Sequence, residues 1–590
     1  MVIVGIDLGT TNSLVSTFID GKVVLIPNSF GSYLTPSIVS IDEEQNVYIG
    51  QAAKERLISH PHLTVSSFKR FMGTNKIIKL GDKQFTPEEL SAFIIRDLVN
   101  DAEKFLNTKV DEVIISVPAY FNDDSRTATK NAAKIAGVYM DRVINEPSAA
   151  ALASGVLDNM NNCTVIVVDL GGGTLDVSLV EYFGNIVSIL AVSGDNHLGG
   201  DDFDLCIAKH FCKLNRIFYA ELSQVSKNIL LKNAENCKIE LSNNDEAKIE
   251  IKTDDINGSL TITTEDFIQI CSELLSRIQA PIRKVLVDSG MSISEIDDII
   301  LVGGGCKISI VKNFISHLMK KEPLELGETD QTVAKGVGVY TGIKSRNEDI
   351  KQLVLTDICP FSLGISVVNN MDSNEDGLMF SPIIERNTPL PVSRTKTYVP
   401  AKKNQYYMSL DIYQGEGLYV SENLLLGTME VYLPMVEDQS VNVTLAYDIN
   451  GILQVGAQIR HTGETVSKII LSKSGEKLTE KELEVKLAEL SNYKKQNEIE
   501  QQINFLMDTA KSLHEQLVGP IRQNLKVRLY GFNELVSNTN SMNKKHQAMK
   551  SFWEDLQQIK NYVNYDPFEN VDENSWAWNN ESEGDDDYTA

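Results

Sequence analysis

Short apolar runs recur along the first part of the chain, and three of them end in glycine. Val165-Ile166-Val167-Val168 breaks into Asp169-Leu170-Gly171-Gly172-Gly173-Thr174-Leu175-Asp176. Val2-Ile3-Val4 leads into Gly5-Ile6-Asp7-Leu8-Gly9-Thr10-Thr11-Asn12. Asp298-Ile299-Ile300-Leu301-Val302 ends in Gly303-Gly304-Gly305. Such β-branched runs bounded by turn residues predict buried strands. Glu112 to Val117 predicts another, stopped by Pro118. Helical periods lie between them. Thr86-Pro87-Glu88-Glu89 is a capping box with proline in the first turn. It opens a helix with Leu90, Phe93, Ile94, Leu98, Ala102 and Phe105 on one face. A second helix is expected over about 124–136.

The period changes near Ile350. Met408, Leu410 and Ile412 alternate, as do Val441, Val443 and Leu445, then Leu453, Val455, Ala457 and Ile459. Asn450-Gly451 predicts a type I′ hairpin between the last two runs. A compact antiparallel β domain is expected to about Leu471. Thr479-Glu480-Lys481-Glu482 is a second capping box. Ile499, Ile503, Leu506, Ala510, Leu513 and Leu517, then Met549, Phe552, Leu556, Ile559 and Val563, step by threes and fours, as core seams of a small helical bundle do. Pro520 separates the first seam from the next helix. The last residues are acidic and poor in apolar side chains, a composition that favours disorder.

At 590 residues the chain has room for several domains. A formal charge of −26, with no basic stripe, argues against a nucleic-acid partner. Seven scattered cysteines without a C-x-x-C pair favour reduced thiols over a disulfide framework or zinc site. Met1 runs directly into the first strand and no apolar run reaches membrane-spanning length. The expectation is a cytoplasmic protein with no membrane partner.

Glycines at a strand end let backbone N–H groups approach an anion, because no Cβ intervenes. Asp169 and Asp176 would repel phosphate alone; a divalent cation between them removes the conflict. The 165–176 stretch therefore reads either as a metal-nucleotide phosphate loop or as a plain glycine-rich turn. The second Asp-Leu-Gly turn at Asp7 favours the first reading, since it suggests an internal duplication with a phosphate loop in each half. Neither turn carries a dinucleotide-binding or P-loop glycine pattern. Other candidates read blandly on their own. Lys69-Arg70 reads as a solvated charge pair and Glu146, before Pro147, as a surface residue. His197 in the 194–201 loop reads as a local hydrogen-bonding residue. Glu235, Lys238 and Ser242 share one helical face, and that face reads as an exposed ion-pair surface.

Taken together, Gly5 to Ser13, Val117-Pro118-Ala119-Tyr120-Phe121-Asn122, Asp169 to Thr174 and Leu301-Val302-Gly303-Gly304 stand in an order that closely resembles the DnaK-type, seventy-kilodalton heat-shock chaperone family. The resemblance spans nearly the whole chain. A shortened segment between Gly73 and Thr86 resembles the HscC-like bacterial branch. The resemblance implies an actin-like α/β ATPase domain of duplicated ribonuclease-H-like halves at 1–349. It further implies a linker at 350–357, a peptide-binding β-sandwich at 358–477, a helical lid at 478–568 and an acidic tail at 569–590. The implied function is that of an ATP-dependent chaperone whose hydrolysis of ATP switches its affinity for extended hydrophobic polypeptide segments.

By match to the family's motifs, Lys69, Glu146, Asp169, Thr174 and Asp7 are the implied catalytic set. Asp7, Asp169 and Asp176 would hold hydrated Mg2+, with K+ as a further cation. Gly9, Thr10, Thr11, Asn12, Gly171, Gly172 and Gly173 would contact phosphate. Glu235, Lys238, Ser242, Gly303, Gly304, Lys307 and Asp330 would surround the adenosine of ATP or ADP. Pro118, Arg126, Leu353, Val354, Leu355 and Asp357 would carry the allosteric signal. Ile365, Val367, Val368, Tyr398, Met408 and Leu410 would form the peptide pocket, under an arch at Ala401. The implied partners are unfolded clients and a J-domain co-chaperone. The short segment after Gly73 leaves the nucleotide-exchange factor open. Lys307 replaces a usual arginine, Ser309 a usual proline, and Thr356 puts a polar group into the linker's apolar run. An actin-like filament protein or sugar kinase would share the ATP motifs, but not the β domain and helices after Asp357. A nucleotide-gated binding module without useful hydrolysis is the third class.

Overall fold

The structure is a computed structural model. It describes residues 1–157, 162–253, 255–324, 327–347, 350, 352–368, 378–402, 405–436, 438–449, 451–470, 480–491, 493, 498–517, 519–539 and 541–563. The chain divides into two units, Met1–Gln501 and Gln502–Ala590.

Two sheets in the first unit repeat one topology. In the first, Ile3–Leu8 pairs antiparallel with Asn12–Ile19, which pairs antiparallel with Lys22–Ile26; on its other edge Ile3–Leu8 runs parallel to Glu112–Val117, and that strand parallel to Val143–Asn145. In the second, Cys163–Leu170 pairs antiparallel with Leu175–Phe183, which pairs antiparallel with Ile186–Asp195; Cys163–Leu170 runs parallel to Asp298–Val302. Each Asp-Leu-Gly turn therefore leaves an interior strand of its own sheet, as the duplicated sequence pattern anticipates. Central strands are buried on both faces: Val165, Ile166, Val168 and Val4 are wholly inaccessible. That is why they read as apolar runs rather than alternations.

The Thr86 capping box forms as written. Thr86 Oγ1 accepts from Glu89 N at 3.3 Å and Glu89 Oε2 accepts from Thr86 N at 2.7 Å, opening the helix Pro87–Leu106. Phe105 departs from the expected face and is 49% exposed. The stripe advances four residues from Ala102 and places Leu106 against the core instead. The expected 124–136 helix spans Asp123–Ile135.

The β region after Asp357 is two four-stranded antiparallel sheets. One has the order Leu378–Ile384, Leu363–Val368, Tyr407–Gln414, Leu424–Tyr432; the other Val392–Tyr398, Val441–Tyr447, Leu453–Ile459, Thr465–Ile470. Their inward residues, among them Met408, Leu410, Ile412, Val443, Leu445 and Val455, share one core. Val441–Tyr447 and Leu453–Ile459 pair as an antiparallel hairpin, in which Asp448 N donates to Ile452 O and Gly451 has φ 76°. The expected type I′ turn falls on Asn450, which lies outside the described residues, as do Thr479 of the second capping box and the acidic tail.

The helix Glu480–Ser491 belongs to the first unit, where Leu490 is buried among the core residues of the first half. In the second unit, Leu506, Ala510, Leu513, Leu525, Phe532, Phe552 and Leu556 are buried, and the Phe532 and Phe552 rings stack at 4.3 Å. The helical stripes are core seams.

Candidate functional site

The two glycine turns meet face to face. A Cβ built on Gly172 would lie 1.6 Å from Thr11 Oγ1, so the loops of the two halves are in contact and only glycine fits there. Between them opens a cavity of about 510 Å³. Asp7, Gly9, Thr10, Thr11 and Asn12 line it from the first half, and Asp169, Gly171, Gly172 and Thr174 from the second. Gly303, Gly304, Lys307 and Asp330 form its far end with Glu235, Lys238 and Ser242. Gly173 and Asp176 are buried beside this wall rather than part of it.

Lys69 reverses its local reading. It sits in the short 3-10 helix Phe68–Phe71, is only 4% exposed, and its Nζ lies 2.8 Å from Glu146 Oε1. Glu146 is also buried, at the start of the helix Glu146–Leu157. The pair spans 77 positions of sequence, which no local pattern can reveal. Lys238 likewise is not part of a solvated face: it pairs with Asp204 at 2.7 Å on the cavity wall. Lys307 is held by Glu328 at 2.9 Å and Asp330 at 3.0 Å. His197 is exposed, and its backbone N–H donates to Asp195.

The cavity floor carries more acid than base. Burial, then the charge of Glu146, pushes Asp7 up to about 7, with Lys69 and Ser116 opposing. Asp176 is pushed to about 7 by burial and then Glu146. Asp169 is raised well above the carboxylate range by burial, then by Glu146, Asp176 and Asp7. Asp204 is also pushed to about 7 by burial, against Lys238. Asp176 Oδ1 accepts from Tyr120 N at 3.2 Å while its buried Oδ2 has no partner. Hard oxygen donors in excess, one of them orphaned, fit a divalent cation, whose charge favours their ionised forms. Among the described residues no three His, Cys, Asp or Glu side chains are grouped to chelate an ion directly.

Asp201, Asp204, Asn243 and Thr329 also line the cavity, and sequence reasoning missed them. The signal for the first was the Asp-rich loop after Asp195, whose Gly199 a Cβ would drive to 2.3 Å from the Gly172 carbonyl carbon.

The residues expected as linker and as relay meet. Val354–Thr356 adds a parallel strand beside Ile186–Asp195, with Thr356 at the register of Ser188. Leu353 and Leu355 pack against the core between the two sheets, whereas Val354 is 51% exposed. Asp357 Oδ2 accepts from Asn145 Nδ2 at 2.8 Å and Ser148 Oγ at 3.1 Å. Arg126 Nη2 donates to Asn145 Oδ1 at 2.6 Å, and its guanidinium also holds the Phe121 and Ala119 carbonyls. Pro118 lies in that loop, its carbonyl accepting from Phe121 N. Asn145 itself was not singled out from sequence.

The β-sandwich is held against the helix Ser272–Ser289 by Arg386, whose Nε and Nη2 bond the two Asp288 oxygens at 2.7 and 2.6 Å. Of the expected peptide-pocket residues, Ile365, Met408 and Leu410 are buried in the sandwich core. Val367 and Tyr398 pack partly against it, while Val368 and Ala401 are exposed.

The Hsp70 protein family model matches residues 3–79 and 74–574. The two matched stretches overlap at residues 74–79. The chain is 37% identical over 512 residues to the chaperone protein DnaK of Thermotoga petrophila and of Thermotoga maritima, covering 84% of each chain. It is 36% identical over the same length to that of Thermotoga neapolitana. The chain belongs to the Hsp70 family. It is an ATP-dependent chaperone, and its nucleotide chemistry is that of an ATPase. No helix among the described residues is long and apolar enough to cross a membrane.

Proposed function

We propose that the cavity between the two glycine turns binds MgATP and hydrolyses it, and that the nucleotide state sets the grip of the β-sandwich on an extended apolar polypeptide. The observation that carries this reading is one pair of neighbours. Glu146 holds Lys69 on the cavity floor, and Asn145 beside it holds Asp357 of the linker.

In this reading residues 1–349 are an actin-like domain of two ribonuclease-H-like halves, 350–357 the linker, 358–477 the peptide-binding sandwich and 478–568 the lid. The repeated sheet topology and the docked linker strand support it. Backbone amides of Gly9 to Asn12 and Gly171 to Thr174 bind the phosphates. Asp7, Asp169 and Asp176 would hold a hydrated Mg2+, which supplies positive charge against the phosphates, with K+ as a further cation. Glu235, Lys238, Ser242, Gly304, Lys307 and Asp330 enclose the adenosine.

Phosphoryl transfer to water needs positioning and compensating charge more than covalent chemistry. Lys69 supplies the ammonium beside the γ-phosphate, and Glu146 fixes its direction. Thr174 offers its hydroxyl at the same point. Glu146 leads the helix that also carries Ser148, a donor to Asp357, so a change of charge on the floor can reach the linker in two residues. A ligand shifts such an equilibrium only through differential affinity for the two arrangements. The chain's bound client is an extended apolar segment, taking main-chain hydrogen bonds and side-chain pockets around Ile365, Val367, Val368, Tyr398, Met408 and Leu410, with Ala401 at the arch. In this reading a J-domain protein stimulates hydrolysis, in the cytoplasm of a bacterium, and the short segment after Gly73 supports an HscC-like branch.

Peptide-release kinetics test the reading. A labelled apolar peptide bound in the presence of ADP should leave much faster when ATP is added. Equal rates with ATP and ADP would defeat it.

A further inference from the structure

Arg70 lies outside both the motif-derived residue set and the cavity wall, yet it joins the two halves at the glycine turn. We propose that Arg70 is a positioning residue for hydrolysis: from the first half it fixes the orientation of the Gly172–Gly173 peptide in the second. One phosphate-facing amide then depends on closure of the cleft. The proposal rests on the ATPase reading above and names how that site is regulated.

The 3-10 helix Phe68–Phe71 turns once in three residues, so neighbouring side chains diverge by about 120°. Phe68 is buried in the core of the first half, Lys69 reaches Glu146, and Arg70 crosses to the second half. Its Nη2 donates to the Gly172 carbonyl at 3.2 Å and to Asp202 Oδ2 at 2.8 Å, and Nη1 reaches Asp202 Oδ1 at 3.3 Å. The same carbonyl accepts from Asp201 N at 2.9 Å. In a trans, planar peptide the N–H points opposite to the C=O. A carbonyl held by Arg70 and Asp201 therefore turns the Gly173 N–H to the opposite side of the loop. Among the described residues no hydrogen bond takes up that N–H, and its neighbours Gly172 and Thr174 both line the cavity.

A peptide between two glycines has little steric preference of its own, so its orientation must be imposed. The Asp201 bond lies within one half and persists whether the cleft is open or closed. The Arg70 bond crosses between halves and exists only when they meet. Ser67 Oγ makes a second crossing, to Asp201 Oδ2 at 2.8 Å. The fit leaves no slack: a Cβ on Gly173 would sit 2.4 Å from Arg70 Nε and 2.7 Å from Thr10 Cγ2. Arg70 Nε is itself buried without an acceptor. A cleft that opens releases the carbonyl and lets the amide turn from the γ-phosphate position. Hydrolysis then requires both halves to have closed on ATP, while ADP, which lacks that phosphate, is held equally well either way.

The test compares full-length Arg70→Gln and Arg70→Lys with the wild type in single-turnover hydrolysis. Affinities for ADP and for ADP with aluminium fluoride, a mimic of the transferring phosphoryl group, are measured alongside. Arg70→Gln should slow the chemical step about ten- to a hundredfold, less than the roughly 10²–10³-fold cost of removing an oxyanion donor outright, because the amide is misaimed and not lost. It should weaken the aluminium fluoride complex by a similar factor and leave ADP affinity little changed. Arg70→Lys, which keeps the charge but not the forked geometry, should fall between. A wild-type rate in either folded variant overturns the proposal, as does an equal loss of affinity for ADP and its aluminium fluoride complex, the result expected of a simple latch. Failure of the wild type to hydrolyse ATP would instead sink the ATPase reading.

Discussion

Asn145 donates to Asp357 at 2.8 Å, and the residue after it, Glu146, accepts from Lys69 at 2.8 Å. Two consecutive side chains thus face two different parts of the molecule, the linker and the nucleotide cavity. Asn145 ends the strand Val143–Asn145 and Glu146 begins the helix Glu146–Leu157. At that junction the backbone changes from a two-residue to a 3.6-residue period, which lets neighbours diverge.

Lys69→Ala is expected to lower single-turnover hydrolysis by about 10²–10³-fold, the usual effect of removing one fixed charge-stabilising donor. ATP binding should survive, because the glycine turns and the far end of the cavity are untouched. The measurement pairs equilibrium ATP binding with quenched single turnovers. Retained turnover would remove Lys69 from its assigned role.

Docking of the linker should strengthen as the solution is acidified from neutral pH. Burial raises Asp357 above its ordinary value in the docked state, although the Ile358 N–H, Arg126, Ser148 and Asn145 pull it back. In the released linker the group returns to about 3.9. The docked state then binds more protons, so docking gains as pH falls through the docked value and stops gaining below the released one. Asp357→Asn, which cannot ionise, should flatten this component. The readout is protease protection of 352–357 against pH; a variant with the wild-type slope would assign the effect to another group.

Arg386→Ala should shift the β-sandwich toward its undocked arrangement. The guanidinium makes a forked pair with Asp288, which it holds below the usual carboxylate range, and a further bond to Glu416 at 2.6 Å. Arg386 is 31% exposed and Asp288 9%, so the pair is only partly screened. Its loss should cost about 1–2 kcal/mol, or roughly a tenfold change in the docking equilibrium. Peptide off-rate with ATP bound reports it, and an unchanged rate would show that other contacts carry the docking.

Much of the fold was legible before any coordinates because burial on both faces writes itself as unbroken apolar runs, and Val165 to Val168 is the clearest case. Alternation likewise identified Met408, Leu410 and Ile412 as one inward face. What stayed hidden was everything set by distant partners. Lys69-Arg70 looks like surface charge until Glu146 and Asp202 are brought to it from 77 and 132 positions away. Family resemblance recovered Lys69 and Glu146, since their motifs match, but gave no hint of Asn145 or Arg70.

Tyr493→Ala should loosen the helix Glu480–Ser491 from the first half of the cleft without unfolding it. The Tyr493 ring stands edge-on to Phe93 at 5.4 Å and tilted to Phe85 at 5.9 Å, with Lys83 Nζ 4.5 Å above it. One turn earlier, the Leu490 carbonyl accepts from both terminal nitrogens of Arg96 at 3.3 Å, and Lys486 pairs with Glu89 at 2.5 Å. Those polar bonds are partly solvated and replaceable by water, whereas the aromatic contacts are not. Two aromatic pairs contribute about 0.5–1.5 kcal/mol each beyond their buried area. Losing them should raise the population of the released helix about tenfold or more. Amide hydrogen exchange over 480–491 should then accelerate, while exchange in the Pro87–Leu106 helix stays slow. Faster exchange in both would mean that Tyr493 supports the first half itself; no change in either would mean that the polar bonds alone hold the helix.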